Sequence, residues 1–272
     1  MVLFNGEPIV TSIFPNKEKQ YQAIGTLGTN PTLTLVFEGN EDITDLLIYK
    51  KYIDDTFPLA KDGIVLNASF CPYGQADRQF GEHIFTFKYF AKLINDANFE
   101  AVYIIDPHSN VMCAALDRCV VCSPEADDIR HPEGIDYDFF FYVDNGGEKK
   151  YREIYPDKPY RFGNKKRNLD TGEIISYEVI ATPDEIKGKN ILIVDDLIMG
   201  GRSFKEAAKA LKDMGAAKVD LYITHLMPVA YNFIFNEEYK DAGIDNVFSL
   251  NTLRMPWYNN GHGWLGVTKY NY

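Results

Sequence analysis

Hydrophobic and polar residues alternate along the chain in segments that fit strands and helices in turn. In the first half, short apolar runs at residues 32–39, 63–73 and 101–106 are typical of strands. Between them, residues 42–55 and 84–97 repeat apolar positions close to the 3.6-residue period of a helix. This order of strand, helix and strand predicts parallel sheets with crossover helices.

A polar stretch at residues 119–138, with two prolines and one glycine, separates this series from a second one. The second series has apolar runs at residues 139–147, 191–194 and 219–224 and a helical pattern at residues 204–214. Ser203 is predicted to cap the start of that helix and Gly215 its end. We therefore predict two domains, residues 1–130 and residues 131–272.

Composition limits the class of partner. The chain has 272 residues, 46% of them hydrophobic, which suffices for two modest cores. Its formal net charge of −11 argues against binding of duplex nucleic acid, which needs a basic surface. No apolar run reaches the length of a membrane span, and the N-terminal segment lacks the pattern of a signal peptide. These features predict a cytoplasmic protein without membrane contact.

The four cysteines do not suggest a disulfide framework or a zinc site. Cys119 and Cys122 form one CxxC motif, but no second pair stands at zinc-binding spacing. The valines between them fit a strand. We expect all four to be buried free thiols.

The clearest chemical signal lies at residues 191–204. An apolar strand is followed by Asp195 and Asp196, and then by a glycine-containing turn that opens a helix. Open α/β sheets bind ligands at this end of their strands. The acids can accept hydrogen bonds from vicinal ribose hydroxyls, and backbone N–H groups from Gly200 to Ser203 can bind a phosphate. A solvated turn before a capped helix is the alternative interpretation.

This segment resembles the ribose-5-phosphate loop of the phosphoribosyl pyrophosphate synthetases and the related phosphoribosyltransferases. Further segments between residues 14 and 225 are similar to the synthetases in the same order. The resemblance implies an α/β fold of two tandem phosphoribosyltransferase-like domains, each a mainly parallel sheet flanked by helices. The N-terminal domain would bind the nucleotide, and the C-terminal domain would bind the ribose phosphate and pyrophosphate.

Two segments resemble the family's nucleotide-binding turns. Phe14 and Glu18 match the early adenine-binding turn, with Asn16 where an aspartate is usual. Residues 72–79 match a second turn, although Gln75 stands where the family has an arginine. The nucleotide-binding residues implied by the resemblance are Phe14, Glu18, Gln75, Asp77 and Arg78.

Two further segments resemble metal and pyrophosphate sites. His108 follows a strand, as the family's metal-site histidine does, although a lone histidine there is more often structural. Asp144, Gly146 and Gly147 resemble the pyrophosphate loop, in which the acid aids magnesium binding and the glycine amides bind phosphate oxygens. A plain glycine turn is the alternative. The resemblance therefore implies Mg²⁺ held with the help of His108 and Asp144.

Residues 163–172 resemble the mobile catalytic loop of the family. Lys165 and Arg167 stand where a lysine and an arginine stabilise the negative charge of the moving pyrophosphate. Taken alone, a basic run of this kind is usually a solvated turn. Its place between the pyrophosphate loop and the ribose loop favours a catalytic role, shared with His108.

The resemblance implies a Mg²⁺-dependent pyrophosphokinase that moves the β,γ-pyrophosphate of ATP to the 1-hydroxyl of a 5-phosphorylated ribose and releases AMP. It also implies a homo-oligomer built from dimers. The ribose loop departs from the family pattern at Met199, where an aspartate is usual, and at Arg202, which adds a cation. This GGR loop and the compact length are similar to phage-type members. They suggest ADP-ribose as the acceptor instead of ribose 5-phosphate. The acceptor contacts are then Asp195, Asp196, Met199, Gly200, Gly201, Arg202, Ser203, Gly146 and Gly147.

Two alternatives from other classes remain. A phosphoribosyltransferase has the same acidic ribose loop but consumes the activated sugar, and it usually has one such domain. A catalytically silent regulatory subunit is compatible with Gln75 and Met199. Retention of Lys165, Arg167 and His108 favours an enzyme.

Overall fold

The computed structural model describes residues 1–59, 63–124, 136–167 and 174–252. The chain divides into two compact units, Met1–Ser123 and Pro124–Tyr272. Each unit has its own mainly parallel sheet and its own hydrophobic core. The predicted α/β class is thereby confirmed.

The first unit is built on a six-stranded sheet. Its elements are β1 (Val2–Phe4), β2 (Glu7–Pro8), β3 (Thr11–Ile13), β4 (Lys19–Tyr21), β5 (Thr32–Leu35), α1 (Asn40–Thr56), β6 (Val65–Asn67), α2 (Thr86–Asp96), β7 (Val102–Ile105), α3 (Asn110–Ala115) and β8 (Cys119–Cys122). The strand order is β2-β1-β5-β6-β7-β8, and β3 and β4 form a separate hairpin. Strands β5 to β8 run parallel, whereas β1 is antiparallel to both its neighbours. The carboxyl ends of the parallel strands therefore lie along one edge of the sheet.

Helices α1 and α2 close the core of the first unit. Helix α1 buries Leu46 and Ile53, which lie on one face because they are two helical turns apart. Helix α2 buries Phe87, Phe90, Ala91 and Ile94. It begins at Thr86, and Ile84, which the pattern placed in the helix, is 61% exposed.

The second unit also has six strands in one sheet. Its elements are β9 (Phe139–Tyr142), α4 (Asn145–Ile154), β10 (Tyr160–Arg167), β11 (Ile174–Ile180), α5 (Pro183–Ile186), β12 (Asn190–Ile198), α6 (Arg202–Asp213), β13 (Lys218–Leu226), α7 (Tyr231–Phe235), α8 (Glu238–Asp241) and β14 (Asn246–Thr252). The order is β11-β10-β9-β12-β13-β14, and only the β10–β11 pair is antiparallel among these neighbours. Strand β12 is central, with β9 on one side and β13 on the other.

Helix α6 packs its apolar face on this sheet and begins earlier than predicted. It starts at Arg202, and its N-cap is Gly201 in a left-handed conformation, so the prediction that Ser203 caps the helix is wrong. Gly215 follows the last turn with a φ of +92°, and its N–H donates to the Lys212 carbonyl at 2.9 Å. The predicted glycine cap at the C-terminal end is therefore confirmed.

The cysteines agree with the prediction only in part. All four are free thiols, and Cys119 and Cys122 lie at the ends of strand β8, as the intervening valines predicted. Only Cys71 is buried. Cys113, in α3, is partly exposed, and so are Cys119 and Cys122, because β8 is the edge strand of its sheet. Within the described ranges, no helix combines the length and apolar character that a membrane span requires.

Candidate functional site

The paired acids lie near the carboxyl end of the central strand of the second unit. Residues 191–194 of β12 are fully buried between β9 and β13, which fixes the position of the acids that follow. The sequence pattern ended the strand at residue 194, but β12 continues to Ile198 and includes both acids. Asp195 Oδ1 accepts a hydrogen bond from the Asp196 backbone N–H at 3.0 Å.

These two carboxyl groups repel one another in a partly desolvated place. Burial raises the pKa of Asp195 well above its usual range, and the neighbouring charges of Asp196 and Asp144 raise it further. Asp196 itself is only 7% exposed. Such a pair is stabilised by groups that donate hydrogen bonds or carry positive charge, for example sugar hydroxyls or a hydrated cation.

The turn after β12 needs its second glycine. Gly201 has a φ of +72°, and a Cβ at this position would collide with the ring of Phe233 in α7. The side chains of Met199 and Arg202 are exposed. The first amides of α6 have no partner within the helix and carry the positive end of its dipole, so the turn is suited to an anion.

Asp144 follows β9, two residues after its last residue Tyr142, and caps helix α4. Its Oδ1 accepts hydrogen bonds from the N–H groups of Gly146 and Gly147, both at 3.0 Å. The resemblance predicted that these two amides bind phosphate oxygens. In the structure, they bind the Asp144 carboxylate. Because a capping aspartate takes the place of an external anion, a phosphate has to compete with this side chain for the same donors.

Lys165 lies on a strand and reaches the same carboxylate. Its Nζ lies 3.0 Å from Asp144 Oδ2, and its side chain is only 8% exposed. Burial would raise the pKa of Asp144, but the charge of Lys165 and the amides of Gly146 and Gly147 outweigh it, and the pKa is lowered. The carboxylate is therefore ionised and neutralises Lys165.

The predicted catalytic loop is partly a strand. Residues 163–167 belong to β10, which pairs with β11 in antiparallel register. Arg167 is the last residue of β10, and its side chain lies outside the described residues. The structure therefore places Lys165 with Asp144 but leaves the position of the Arg167 side chain undescribed.

Tyr177 belongs to this site and was missed by the sequence reasoning. Its hydroxyl donates to the Val143 carbonyl at 3.2 Å. Burial raises its pKa, and the charges of Asp144 and Asp195 add to the effect, which places the phenol beside both acids. No local sequence motif predicts a functional role for a tyrosine on an edge strand. The only available signal was the alternation of apolar and polar residues along β11, which indicates that the Tyr177 side chain faces inward.

In the first unit, two of the predicted motifs come together. Asp77 is buried, and its carboxylate accepts a hydrogen bond from Arg78 Nε at 2.8 Å. Burial would raise the pKa of Asp77, but the hydrogen bond and charge of Arg78 outweigh it, with a smaller effect of His108, and the pKa is lowered. A Cβ built on Gly74 would lie 3.3 Å from His108 Cβ. The turn at residues 72–79 is thus packed directly against the segment that carries His108.

The remaining nucleotide-binding candidates lie on surfaces of the first unit. Gln75 is exposed on a 3₁₀ turn, Gly74–Ala76. Phe14 and Glu18 close the β3–β4 hairpin, where the Phe14 N–H donates to the Glu18 carbonyl at 2.9 Å. The hairpin is held to helix α1 by Tyr21, whose hydroxyl lies 2.8 Å from Asp45 Oδ1.

The candidate metal-binding side chains of the second unit are carboxylates near the end of β12 and after β9. Among the residues that the structure describes, no three His, Cys, Asp or Glu side chains gather in a preformed metal cluster. Magnesium commonly uses one or two protein carboxylates and completes its shell with water and substrate phosphates, so the Asp195–Asp196 pair fits such an ion. Asp144 fits less well, because both of its oxygens already accept hydrogen bonds.

Comparison with known proteins agrees with this architecture. A family model described as a phosphoribosyl transferase domain matches residues 160–259. The solved phosphoribosylpyrophosphate synthetase from Mycobacterium smegmatis superposes with a TM-score of 0.69 at 18% identity, over 90% of this chain and 80% of that one. The fold class is therefore confirmed as a tandem phosphoribosyltransferase-type α/β protein.

Curated relatives are more specific. The ribose-phosphate pyrophosphokinase of Saccharolobus solfataricus is 22% identical over 256 residues, which is 91% of this chain and 85% of the relative. The ribose-phosphate pyrophosphokinase of Thermosipho africanus is 29% identical over 224 residues, 79% of this chain and 69% of the relative. The resemblance to the phosphoribosyl pyrophosphate synthetase family is thereby confirmed, together with the prediction of a pyrophosphokinase-type enzyme.

Proposed function

We propose that the chain transfers the β,γ-pyrophosphate of ATP to the 1-hydroxyl of a 5-phosphorylated ribose. The hydroxyl oxygen forms a bond to the β-phosphorus, and the bond from that phosphorus to the oxygen bridging it to the α-phosphorus breaks. AMP leaves with the bridging oxygen, and the hydroxyl proton passes to solvent. The observation that carries the proposal is the acidic strand end, Asp195 and Asp196, beside Asp144 and Lys165.

The two ribose hydroxyls of the acceptor would donate to Asp195 and Asp196, which we propose as the sugar-binding pair. Desolvation and mutual repulsion of these carboxyl groups support this role, because both are relieved by hydrogen-bond donors. The turn from Met199 to Ser203 would bind the 5′-phosphate through the amides that open α6. Gly146 and Gly147 would bind the pyrophosphate.

Lys165 is proposed to stabilise the negative charge of the transferred group, and the resemblance assigns the same role to Arg167. Asp144 would then release Lys165 when the more highly charged pyrophosphate arrives. A positioned cation that acts where charge develops is among the strongest contributions to phosphoryl-type transfer. The protein needs no covalent nucleophile, because alignment and charge neutralisation supply the catalysis.

The first unit is proposed to bind ATP. The ion pair of buried Asp77 with exposed Arg78, beside His108, supports this assignment, since it offers a guanidinium and an imidazole at the same turn. Phe14, Glu18 and Gln75 would complete the nucleotide site on the resemblance alone. In domain terms, residues 1–130 would serve the nucleotide and residues 131–272 the acceptor.

Mg²⁺ is proposed as the cofactor. In the second unit, Asp195 and Asp196 would hold it, and the resemblance adds Asp144 there; in the first unit, the resemblance assigns a metal-binding role to His108. When bound, it would neutralise charge on the polyphosphate. The resemblance also supports an assembly of identical chains built from dimers that acts in the cytoplasm. None of these assignments is needed for the roles of Lys165 and the acid pair.

The acceptor is proposed to be ADP-ribose, which would give ADP-ribose 1-pyrophosphate. The exposed guanidinium of Arg202 at the start of α6 supports this choice, because ADP-ribose carries a second phosphate that ribose 5-phosphate lacks. Ribose 5-phosphate, giving phosphoribosyl pyrophosphate, is the competing acceptor.

The test is AMP release by the purified chain with ATP and Mg²⁺. Three parallel reactions contain ADP-ribose, ribose 5-phosphate or no acceptor, and a fourth contains EDTA. Acceptor-dependent AMP, lost with EDTA, is expected, and ADP-ribose should be preferred. If AMP is released with ribose 5-phosphate but not with ADP-ribose, the assignment of ADP-ribose as the acceptor is wrong. Absence of AMP with both acceptors refutes the pyrophosphokinase proposal and favours a transferase that consumes activated sugar or a silent subunit.

A further inference from the structure

Tyr177 crosses a strand of the second sheet to reach the acidic site. It lies on the edge strand β11, directly opposite Lys165 of β10. Directly opposite residues of an antiparallel pair have side chains on the same face, so Tyr177 and Lys165 share a face. The diagonal neighbour on that face is Gly163, whose missing side chain leaves room for the phenol: a Cβ there would collide with the Tyr177 hydroxyl.

The Tyr177 hydroxyl reaches past β10 to the residue that follows β9. It donates to the Val143 carbonyl at 3.2 Å, and Val143 directly precedes Asp144. A single hydrogen bond therefore ties β11 across β10 to the end of β9. The next residue, Asp144, caps α4 and pairs with Lys165.

The phenol is suited to a lasting role as a donor. Burial raises its pKa, and the two nearby carboxylates of Asp144 and Asp195 oppose its ionisation further. The hydroxyl therefore keeps its proton at neutral pH and can donate it to the Val143 carbonyl.

We propose that Tyr177 is a positioning residue of the pyrophosphate site: through Val143 it sets the place of Asp144 and of the Gly146 and Gly147 amides that Asp144 caps. That this positioning aids pyrophosphate binding rests on the proposed function. That Tyr177 holds the backbone after β9 in place does not depend on it.

Two variants remove the bond in different ways. Tyr177→Phe keeps the ring and deletes the hydroxyl, whereas Gly163→Ala keeps the hydroxyl and displaces it. The matched control is Tyr155→Phe, since Tyr155 also donates a phenol hydrogen bond to a backbone carbonyl, that of Pro124 at 2.9 Å, in the same unit. A general loss of stability would appear in all three proteins.

Amide hydrogen exchange of residues 143–147 tests the positioning itself. Loss of one hydrogen bond should speed exchange there about fivefold in Tyr177→Phe and Gly163→Ala, and leave it unchanged in Tyr155→Phe. Equal exchange in wild type and Tyr177→Phe overturns the proposal, whatever the protein catalyses.

The affinity for inorganic pyrophosphate in the presence of Mg²⁺ tests whether this positioning aids ligand binding. Affinity should fall about fivefold in both variants and not in the control. In an Asp144→Ala background, Tyr177→Phe should cause no further loss, because the positioned side chain is already gone. Additive losses refute action through Asp144. A wild-type protein that binds no pyrophosphate refutes the proposed function, while the exchange result still decides the positioning role.

Discussion

The Nζ of Lys165, on β10, lies 3.0 Å from Oδ2 of Asp144, which follows the neighbouring strand β9. The same carboxylate also accepts from the amides of Gly146 and Gly147. One aspartate therefore holds a cation and two N–H donors of the kind that bind phosphate. The site contains its own counter-anion, and a polyphosphate has to replace it.

Asp144→Asn separates the two functions of this side chain. The amide oxygen of asparagine can still cap α4, but the charge that neutralises Lys165 is lost. We expect affinity for inorganic pyrophosphate without Mg²⁺ to rise about fivefold, since a partly exposed ion pair is weak. Calorimetric titration measures it. Asp138→Asn, which removes the partner of Lys189, is the control. Weaker binding in Asp144→Asn would show that the carboxylate does not compete with the ligand.

Lys165→Ala should reduce turnover about a hundredfold, because a cation placed at developing charge is lost. Folding should be little affected, since the lysine makes one ion pair with a partly exposed partner. AMP release and thermal unfolding measure the two effects. Lys189→Ala removes a similar lysine–aspartate pair near the other end of β12 and should keep full turnover. Full turnover in Lys165→Ala would disprove the catalytic role.

Asp195→Asn should stabilise the protein at neutral pH. The pKa of Asp195 is raised in the folded state, so the folded protein binds the proton more tightly than the unfolded chain. Its ionisation therefore costs stability above the folded pKa, and this cost disappears as the pH falls through that pKa towards the unfolded value. The gain from Asp195→Asn, measured by urea unfolding, should shrink between pH 7 and pH 4.

Asp138→Asn should change the free energy of unfolding in the opposite direction. Its pKa is lowered by hydrogen bonds from Lys189 and the Asn190 N–H, so its ionised form stabilises the fold above the unfolded pKa. Asp138→Asn should therefore destabilise at pH 7, and the loss should diminish in acid. A gain for Asp195→Asn that does not depend on pH would contradict the raised pKa.

Gly201→Ala should cost about 2 kcal/mol of unfolding free energy, because an L-residue is strained at its positive φ and the new methyl group meets Phe233. Gly200→Ala is the matched control in the same turn, since a Cβ there has nothing within 4 Å. Its effect should stay within about 0.5 kcal/mol. Equal stability of the two variants would show that Phe233 and the turn move apart without cost.

Arg202→Ala should distinguish the two acceptors. If its guanidinium meets the second phosphate, the KM for ADP-ribose should rise about tenfold, as for a lost charged hydrogen bond, and that for ribose 5-phosphate should barely change. Lys209→Ala, farther along α6 and paired with Asp213, is the control. An equal rise for both acceptors would place Arg202 at the shared 5′-phosphate.

Much of the site was predictable because its signals are local. The apolar run before Asp195 and Asp196, the glycines after them and the apolar face of α6 are each contained in a few consecutive residues. The period of that pattern decides which residues enter the core, and the core fixes β12 between its neighbours. The acid pair therefore came to the expected end of the expected strand.

What the chain order could not reveal depends on contacts between distant residues. Asp144 and Lys165 are 21 residues apart, and Tyr177 and Val143 are 34 apart. Whether those pairs meet depends on strand order and on the register between β10 and β11, and a shift of one residue would turn Tyr177 to the other face. Local propensity carries no information on register. Only the packed sheet decided that Lys165 reaches Asp144 and that Tyr177 crosses Gly163 to hold the Val143 carbonyl.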